Sequence, residues 1–470
     1  MQQAMNDLHD PKEVKMKKLV LLAFVILVLT VTPALAAPAS VPPKPPAKNV
    51  IVMISDGWGF NHLTAASYYE YGKDARQVYN RLPFQVAMST YSADGHPFGY
   101  DPALAWGSFE WVKTEYTDSA AAATAMACGV KTYDAAIGVD VDKNPVQNAL
   151  ELAESKGKAT GVVTSVEWTH ATPAGHVAHN VHRDNYAAIG QEIVNVSAAD
   201  VVMGAGHPWY DPDGNLKALP NTFKYVGDEV TWNALLAGTA GGDADGDGVA
   251  DPWTLIQTRA EFQALMNGPT PKRVLGTAQV YQTLQQGRSG DALADPYVVQ
   301  RIETVPTLTE MSLAALNILD NDPDGLYLMI EGGAVDWGSH ANQSGRMIEE
   351  AIEFERAVEA VLDWVQENSN WGETLLIVTG DHETGYLTGP GSGQFAEGPV
   401  WNPIVNNGVG VLPGMEWHSP NHTNSLMILS AKGDAARMFN RYDNGYDPVY
   451  GQYIDNTDIA KVVFWALSSK

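Results

Sequence analysis

Beyond residue 48 the chain alternates short apolar runs with longer stretches whose apolar residues recur at helical spacing. Residues 50–54, 160–166, 326–330, 375–379 and 425–429 are rich in Val, Ile, Leu and Met and too short for helices. Such runs are predicted strands, buried on both faces of a sheet. Residues 346–366 read differently: Ile348, Ala351, Ile352, Val358, Val361, Leu362 and Val365 share one helical face, with Glu and Arg opposite. Strands alternating with amphipathic helices predict an α/β protein, with a mostly parallel central sheet flanked by helices. Two stretches rich in Gly, Asp and Pro, about 207–289 and 385–416, interrupt the alternation. Strand patterns resume after each, so both are expected as insertions above the C-terminal ends of the strands.

The first 48 residues follow another pattern. Lys15, Lys17 and Lys18 precede an apolar run over 19–29, and Ala34-Leu35-Ala36 offers a small-residue cleavage site. That is the layout of an export signal, and the run is short for a membrane span. A cleaved signal over 1–36 is therefore expected in preference to an uncleaved anchor, with a periplasmic or extracellular destination. Residues 1–15 fit this layout poorly, which makes Met16 a candidate true start. The proline-rich 37–48 reads as a stiff linker, leaving 49–470 as the folded domain.

Composition narrows the function classes. With 470 residues, 45% apolar and 18% charged, the chain is globular rather than disordered. A formal net charge of −26 argues against a nucleic-acid-binding surface. It also disfavours any anionic substrate, unless strong local positive charge, such as bound metal ions, overrides the global field. The single cysteine, Cys128, allows no internal disulfide and is expected as a small packed residue.

Chemistry-bearing residues collect where the predicted strands end, the place where open parallel sheets bind ligands. Asp56 follows the first run, His170 and Thr172 the second, Glu331 the third, and Asp381 with His382 the fourth. Imidazole and carboxylate suit zinc, and oxygen ligands suit magnesium. Each alone could simply end a strand or cap a turn; repetition at four strand ends argues against that. Asp336 and His340, four apart, fall on one face of a helical turn. In Thr117-Asp118-Ser119 the alanine-rich run that follows predicts a helix with Thr117 as N-cap and Ser119 in its first turn. A helix N-terminus favours a phosphoryl anion, although Ser119 there could equally be a capping residue.

Taken in order, these segments resemble the alkaline phosphatase family: Ser55-Asp56-Gly57, Thr117-Asp118-Ser119-Ala120, His170-Ala171-Thr172-Pro173 through Arg183, Glu331 through His340, Asp381-His382-Glu383, and His422-Thr423. The resemblance spans about residues 50 to 424. It implies a phosphate monoester hydrolase in which Ser119 is the nucleophile and Arg183 the phosphate clamp. It further implies one zinc held by Asp336, His340 and His422, and a second held by Asp56, Asp381 and His382. Asp56 would bridge to a magnesium site shared with Thr172 and Glu331, with His170 nearby. A homodimer is also implied. Two departures from the best-known bacterial pattern bear on the third metal and the phosphate grip: His170 stands where some members have Asp, and Trp337 where they have Lys. A phosphodiesterase or sulfatase of the same superfamily is the alternative, and a secreted non-catalytic metal- or phosphate-binding protein is a second.

Three signals stand apart. His176, His179 and His182 recur every third residue and are expected to pack and hydrogen-bond rather than bind metal. His418 precedes His422 by four residues, and only His422 matches the family pattern. Asp243, Asp245, Asp247 and Asp251 alternate around glycines like a calcium loop. Thr254 stands where an EF-hand has Glu, so calcium and a solvated Asp-Gly turn both remain open.

Overall fold

The computed structural model describes residues 47–95, 99–244 and 248–468. The signal expected over 1–36, the Met16 start and most of the linker lie outside the described residues. Within the described part, the molecule is built on one sheet of eleven strands. In chain order these are β1 (Asn49–Ser55), β2 (Phe84–Ser89), β3 (Ala159–Glu167), β4 (Val201–Ala205), β5 (Thr254–Ile256) and β6 (Val274–Thr277). They continue with β7 (Leu326–Gly332), β8 (Thr374–Gly380), β9 (Met427–Lys432), β10 (Gly445–Asp447) and β11 (Gly451–Asp455). Across the sheet the order is β10-β11-β2-β9-β8-β1-β7-β3-β4-β6-β5.

The centre is parallel: β1 lies between β7 and β8, in register Val50 with Tyr327 and with Leu375. β9 runs antiparallel to both β8 and β2. All seven residues of β1, β7 and β8 are buried, as their unbroken apolar runs require. Alternate side chains serve two cores. Ile51, Met53, Leu328, Ile330, Leu376 and Val378 pack with Met311, Ile348, Phe354 and Val358. Val50, Val52, Tyr327, Met329, Leu375 and Ile377 pack with Met126, Ile459 and Val462. The helix read over 346–366 spans Ser344–Asn368 and buries the expected face.

The stretch 207–289, expected as an insertion, also extends the sheet. Two segments within it, β5 and β6, pair in parallel with each other, and β6 with β4. Four residues of β6 are too few for a periodicity to show among the surrounding glycines and prolines. Cys128 is buried, and burial pushes its thiol up to about 12, as befits an inert packed residue.

Candidate active site

The helix Ser119–Cys128 begins with Ser119 as its first residue. Its N-cap is Asp118, not Thr117: the Asp118 carboxylate accepts the Ala121 N–H at 2.9 Å, and its carbonyl accepts the first helical bond from Ala122. Thr117 instead donates its hydroxyl to the Asp118 carbonyl. Both residues have good capping side chains, and the tertiary partner of Asp118 decides between them. That partner is Arg183, whose guanidinium donates to Asp118 at 2.9 Å. The alanines allow close packing. A Cβ added at Gly175 would lie 2.8 Å from the Ala123 Cβ, so the helix Ala171–Val177, which carries Thr172, sits directly against the serine helix.

Ser119 is buried, and its Oγ lies 3.1 Å from His382 Nε2. The same nitrogen is 3.2 Å from Asp381 Oδ2 and 3.5 Å from Asp56 Oδ1. Three oxygens thus converge on one imidazole nitrogen. Burial, then the neighbouring His422, holds His382 well below the ordinary imidazole value, so the ring is neutral.

His340 and His422 show the same preparation. His340 Nδ1 meets the Pro420 carbonyl at 2.5 Å, and His422 Nδ1 meets the Thr117 carbonyl at 2.9 Å. A carbonyl only accepts, so both Nδ1 atoms carry the proton and both Nε2 atoms present lone pairs. Those Nε2 atoms lie 2.9 Å apart, with Asp336 Oδ1 at 3.4 and 3.5 Å. In the neutral rings two lone pairs and a carboxylate face one point and repel one another unless a cation, metal ion or proton, lies between them; burial works against a proton on His422, but Asp336 outweighs it and raises that ring. Carbonyl-oriented imidazoles are the usual supports of metal-binding histidines.

A third group lies deeper. Asp56, His170 and Glu331 are buried with ligand atoms within 4.8 Å of one another. Both Asp56 carboxylate oxygens, Glu331 Oε1, Thr172 Oγ1 and His170 Nδ1 have no hydrogen-bond partner, nor has Asp381 Oδ2. Buried polar atoms left unsatisfied in such number need a compensating group. The Glu331 carboxyl is pushed up to about 8 and that of Asp381 to about 6, chiefly by burial. Asp56 is raised by burial and by Asp381, Asp336 and Glu331. Asp336 goes the other way: burial pushes it up, but His340 and His422, to the extent that they are protonated, outweigh that and hold it below the usual range. The donor sets fit divalent cations, with oxygen-rich chemistry at Asp56, Glu331 and Thr172 and imidazole-rich chemistry at Asp336, His340 and His422.

Ser119, His170, Asp336, His340 and His422 line a cavity of about 460 Å³, bounded also by Tyr116, Arg183, Gln286 and Trp337. Arg183 donates through one nitrogen to Asp118 and faces His170 Nε2 with another at 3.2 Å. Burial penalises its charge, but Asp118 more than restores it, so the guanidinium is a fixed cation. His170, lowered to about 3 by burial and Arg183, accepts from it as a neutral ring and stands 5.8 Å from Trp337, centroid to centroid.

Every site residue expected at Ser119, Arg183 and the three ligand groups is therefore brought together. Of the acidic run, Asp245 and Asp247 lie outside the described residues. Asp251 pairs with Lys272 at 2.8 Å, and Asp243 accepts the Gly248 N–H. His176 is buried against the Tyr327 hydroxyl at 2.9 Å, His179 contacts Glu192 and the Val146 carbonyl, and His182 is exposed. His418 bonds Thr388 and lies outside the ligand groups. The sequence reading passed over Thr384, whose hydroxyl donates to Asp336 Oδ1 at 2.5 Å and lies 3.3 Å from His382 Nδ1. Its signal was its place two residues after His382. Gln286 and Tyr116 sit in irregular segments with no comparable mark.

The alkaline phosphatase family profile matches residues 47–403. Alkaline phosphatase 3 of Bacillus subtilis is 32% identical over 349 residues, 72% of this chain; the chain spans only 61% of that relative's length. Alkaline phosphatase H of Pseudomonas aeruginosa is 31% identical over 354 residues, 72% of this chain and 70% of that protein. Among solved structures, a variant of the TAB5 alkaline phosphatase with magnesium bound in its M3 site covers 91% of this chain and 99% of its own. Its TM-score is 0.62 at 22% identity, a likeness of fold.

Proposed function

The chain belongs to the alkaline phosphatase family, and on that premise we propose that it hydrolyses phosphate monoesters through a phosphorylated Ser119. The observation that carries this reading is Ser119 Oγ, at a helix N-terminus, aimed at the point where His382, Asp381 and Asp56 converge. Asp336, His340 and His422 would hold one zinc; Asp56, Asp381 and His382 would hold the other. Asp56, Thr172 and Glu331, with His170 beside them, would hold magnesium, the ion named in the M3 site of the TAB5 variant. Bound there, divalent cations supply Lewis-acid stabilisation of a serine alkoxide, of the phosphoryl oxygens and of the leaving oxygen.

The chain's own groups do the rest. Arg183, held by Asp118 against swinging, presents its planar fork to two phosphoryl oxygens and orients phosphorus toward Ser119 Oγ. Serine attack forms the Oγ–P bond as the ester oxygen departs in line and takes up a proton. Water then attacks phosphorus from the opposite side, releasing inorganic phosphate and returning Ser119. The first turn of the serine helix favours the anion throughout. The −26 net charge is overcome locally by Arg183 and the cations.

A terminal, doubly charged phosphate suits this constellation better than a diester or sulfate. Export through the 1–36 segment, a periplasmic or extracellular location and a homodimer belong to the same proposal. Among the described residues no helix is long and apolar enough to cross a membrane. Acid quenching during turnover of a labelled monoester should leave phosphate on Ser119, and a chiral phosphate should be transferred with overall retention. Inversion, with Ser119 unlabelled, would end the mechanism. Faster turnover of a diester or sulfate would move the chain to the alternative reading.

A further inference from the structure

A second cavity, of about 70 Å³, is lined in part by Glu383, next to the ligand-bearing Asp381-His382, and shares no lining residue with the catalytic cavity. Its walls include Phe60, Trp106, Tyr386, Trp401 and Tyr450, and also Glu383, whose two carboxyl oxygens accept from the Leu387 N–H and the Thr423 hydroxyl. These rings come from segments nearly 400 residues apart in the chain, from residue 60 to residue 450, and are held in fixed orientations. Phe60 stacks on Tyr450 at 4.2 Å between centroids, and Trp106 meets Trp401 edge-on at 5.0 Å.

The polar edges of the rings are already occupied. Trp106 Nε1 and the hydroxyl of the neighbouring Tyr100 both donate to Asp447 Oδ2, at 2.8 and 2.9 Å. Trp401 Nε1 donates to the Tyr386 hydroxyl at 2.8 Å. Asp447, fully buried, also takes the backbone N–H groups of Val449 and Tyr450. Both indole N–H groups are thereby spent, so the two tryptophans offer an occupant their ring surface rather than donors. Hydrogen bonding to a carboxylate enriches the rings of Trp106 and Tyr100 in electron density, which deepens their negative faces. No Lys or Arg lines the cavity. The cluster already attracts one cation from outside: Lys113 Nζ stands 5.5 Å from the Phe109 centroid and 6.0 Å from that of Tyr386.

From this arrangement we propose that the aromatic cavity is a binding site for a small soluble quaternary ammonium compound. An aromatic lining matches an apolar-bodied cation, which cannot use hydrogen-bond donors or acceptors and is attracted by ring faces within about 6 Å. A neutral hydrocarbon would gain burial but not the electrostatic part. An anion would meet the ring faces unfavourably. The volume is several times the roughly 10–15 Å³ that one water needs. The site does not depend on the catalytic reading.

The test is titration of the metal-loaded enzyme with choline chloride, followed by tryptophan fluorescence and calorimetry, against sodium chloride and the neutral isostere 3,3-dimethylbutanol. Saturable choline binding is expected, with the neutral isostere weaker by at least about fivefold. Trp106→Leu and Trp401→Leu should each weaken choline by about tenfold or more while leaving turnover of a nitrophenyl monoester unchanged. Saturating inorganic phosphate should not displace choline. Absence of saturable binding, equal affinity for the neutral isostere, displacement by phosphate, or full binding in both tryptophan variants would each overturn the proposal. If a variant fails to fold, the comparison of choline with its isostere on the unaltered enzyme still decides.

Discussion

Two regions of this molecule bury clusters of carboxylates, and they treat them in opposite ways. On the shoulder formed by the long helix Ser344–Asn368, Glu349 and Glu353 meet arginines from the irregular segment 279–305. Arg288 donates to Glu349 at 2.6 Å, and Arg301 to Glu353 at 2.9 Å. Arg288 spends its remaining donors on the carbonyls of Gln285, Val299 and Gln300. At the strand ends, Asp56, Glu331, Asp336 and Asp381 are equally buried, but the chain leaves oxygens of three of them without a hydrogen-bond partner. Arg183, the cation nearest the cluster, is committed to Asp118. Carboxylates compensated from within fix a loop; carboxylates left uncompensated specify something the chain does not itself contain. Together with the imidazoles beside them, the uncompensated carboxylates mark the strand ends as a candidate cation site.

The contrast breaks most visibly on removing cations. Dialysis against a strong chelator should reduce turnover by at least about a thousandfold, and zinc with magnesium should restore it. The melting temperature should fall as well, because ligands that bind only the native state stabilise it by mass action. Metal-free protein with full activity and an unchanged melting temperature would mean that the strand-end carboxylates are compensated in some other way.

Breaking the shoulder should give the reverse signature. Arg288→Leu leaves Glu349 buried with no cation and should cost about 3–5 kcal/mol of stability. Metal content per folded molecule should stay the same. Denaturant unfolding and metal analysis of the same sample separate the two; loss of metal at unchanged stability would collapse the distinction between the regions.

The long helix has two exceptions of its own, Glu355 and Glu350, each buried with one carboxyl oxygen unpartnered, and Glu350 allows a test. Its Oε1 has no hydrogen-bond partner, and its carboxyl is pushed up to about 7, first by burial and then by Glu353 and Glu349, against Arg301 and Arg288. A native value above the unfolded 4.5 means the folded state holds the extra proton between those two values. Stability therefore falls as pH rises from about 4.5 to about 7 and is level above that, for this group. Glu350→Gln removes the slope: the variant should be more stable than the parent above pH 7, by up to about 3 kcal/mol, with the gap closing toward pH 4.5. Melting scans at several pH values check it, and a gap that widens on acidification would reverse the assignment.

How much of this was legible in the sequence follows from which residues periodicity can mark. The strands carrying Asp56, Glu331 and Asp381 are buried on both faces, so unbroken Val, Ile, Leu and Met runs announced them, and the polar residue ending each run stood out. The edges were harder. β2 and β5 are only partly buried, and β10 and β11 form a short hairpin, so their sequences lack that signature. The cap went to Asp118 rather than Thr117 because Arg183, more than sixty residues away, holds the aspartate in place. No local rule contains that contact. Gln286 reaches the catalytic cavity because Arg346 donates to its carbonyl and Arg288 pins the following turn, again a matter of tertiary pairing. The aromatic cavity was invisible for the same reason, since its rings meet only after the sheet has formed.

Thr384 allows the finest test, because it lies between the two imidazole-bearing ligand groups. Its hydroxyl donates to Asp336 Oδ1 at 2.5 Å and stands 3.3 Å from His382 Nδ1. In the proposed ligand sets Asp336 goes with His340 and His422, and His382, which lies within reach of both sets, goes with Asp56 and Asp381, so one hydroxyl ties the two sets together. The short pairing of Thr384 with His422 in the antiparallel bridge holds the backbone on which both depend. Thr384→Val keeps the shape and the backbone pairing but removes the donor. With it goes the bond that orients the carboxylate, and the loss of such a supporting contact typically weakens metal affinity by about 10–100-fold. The expected outcome is a drop of that size in zinc affinity, measured by competition with a chelator, with less than about 1 kcal/mol change in the stability of the metal-free protein. Thr384→Ser, which restores the hydroxyl, should recover most of the affinity. If valine and serine variants bind zinc alike, Thr384 is a packing residue and the two groups are oriented independently. If valine loses zinc at the Asp336 group alone, the contact to His382 carries no orientation, and the coupling between the two groups runs through Asp56 and Asp381 instead.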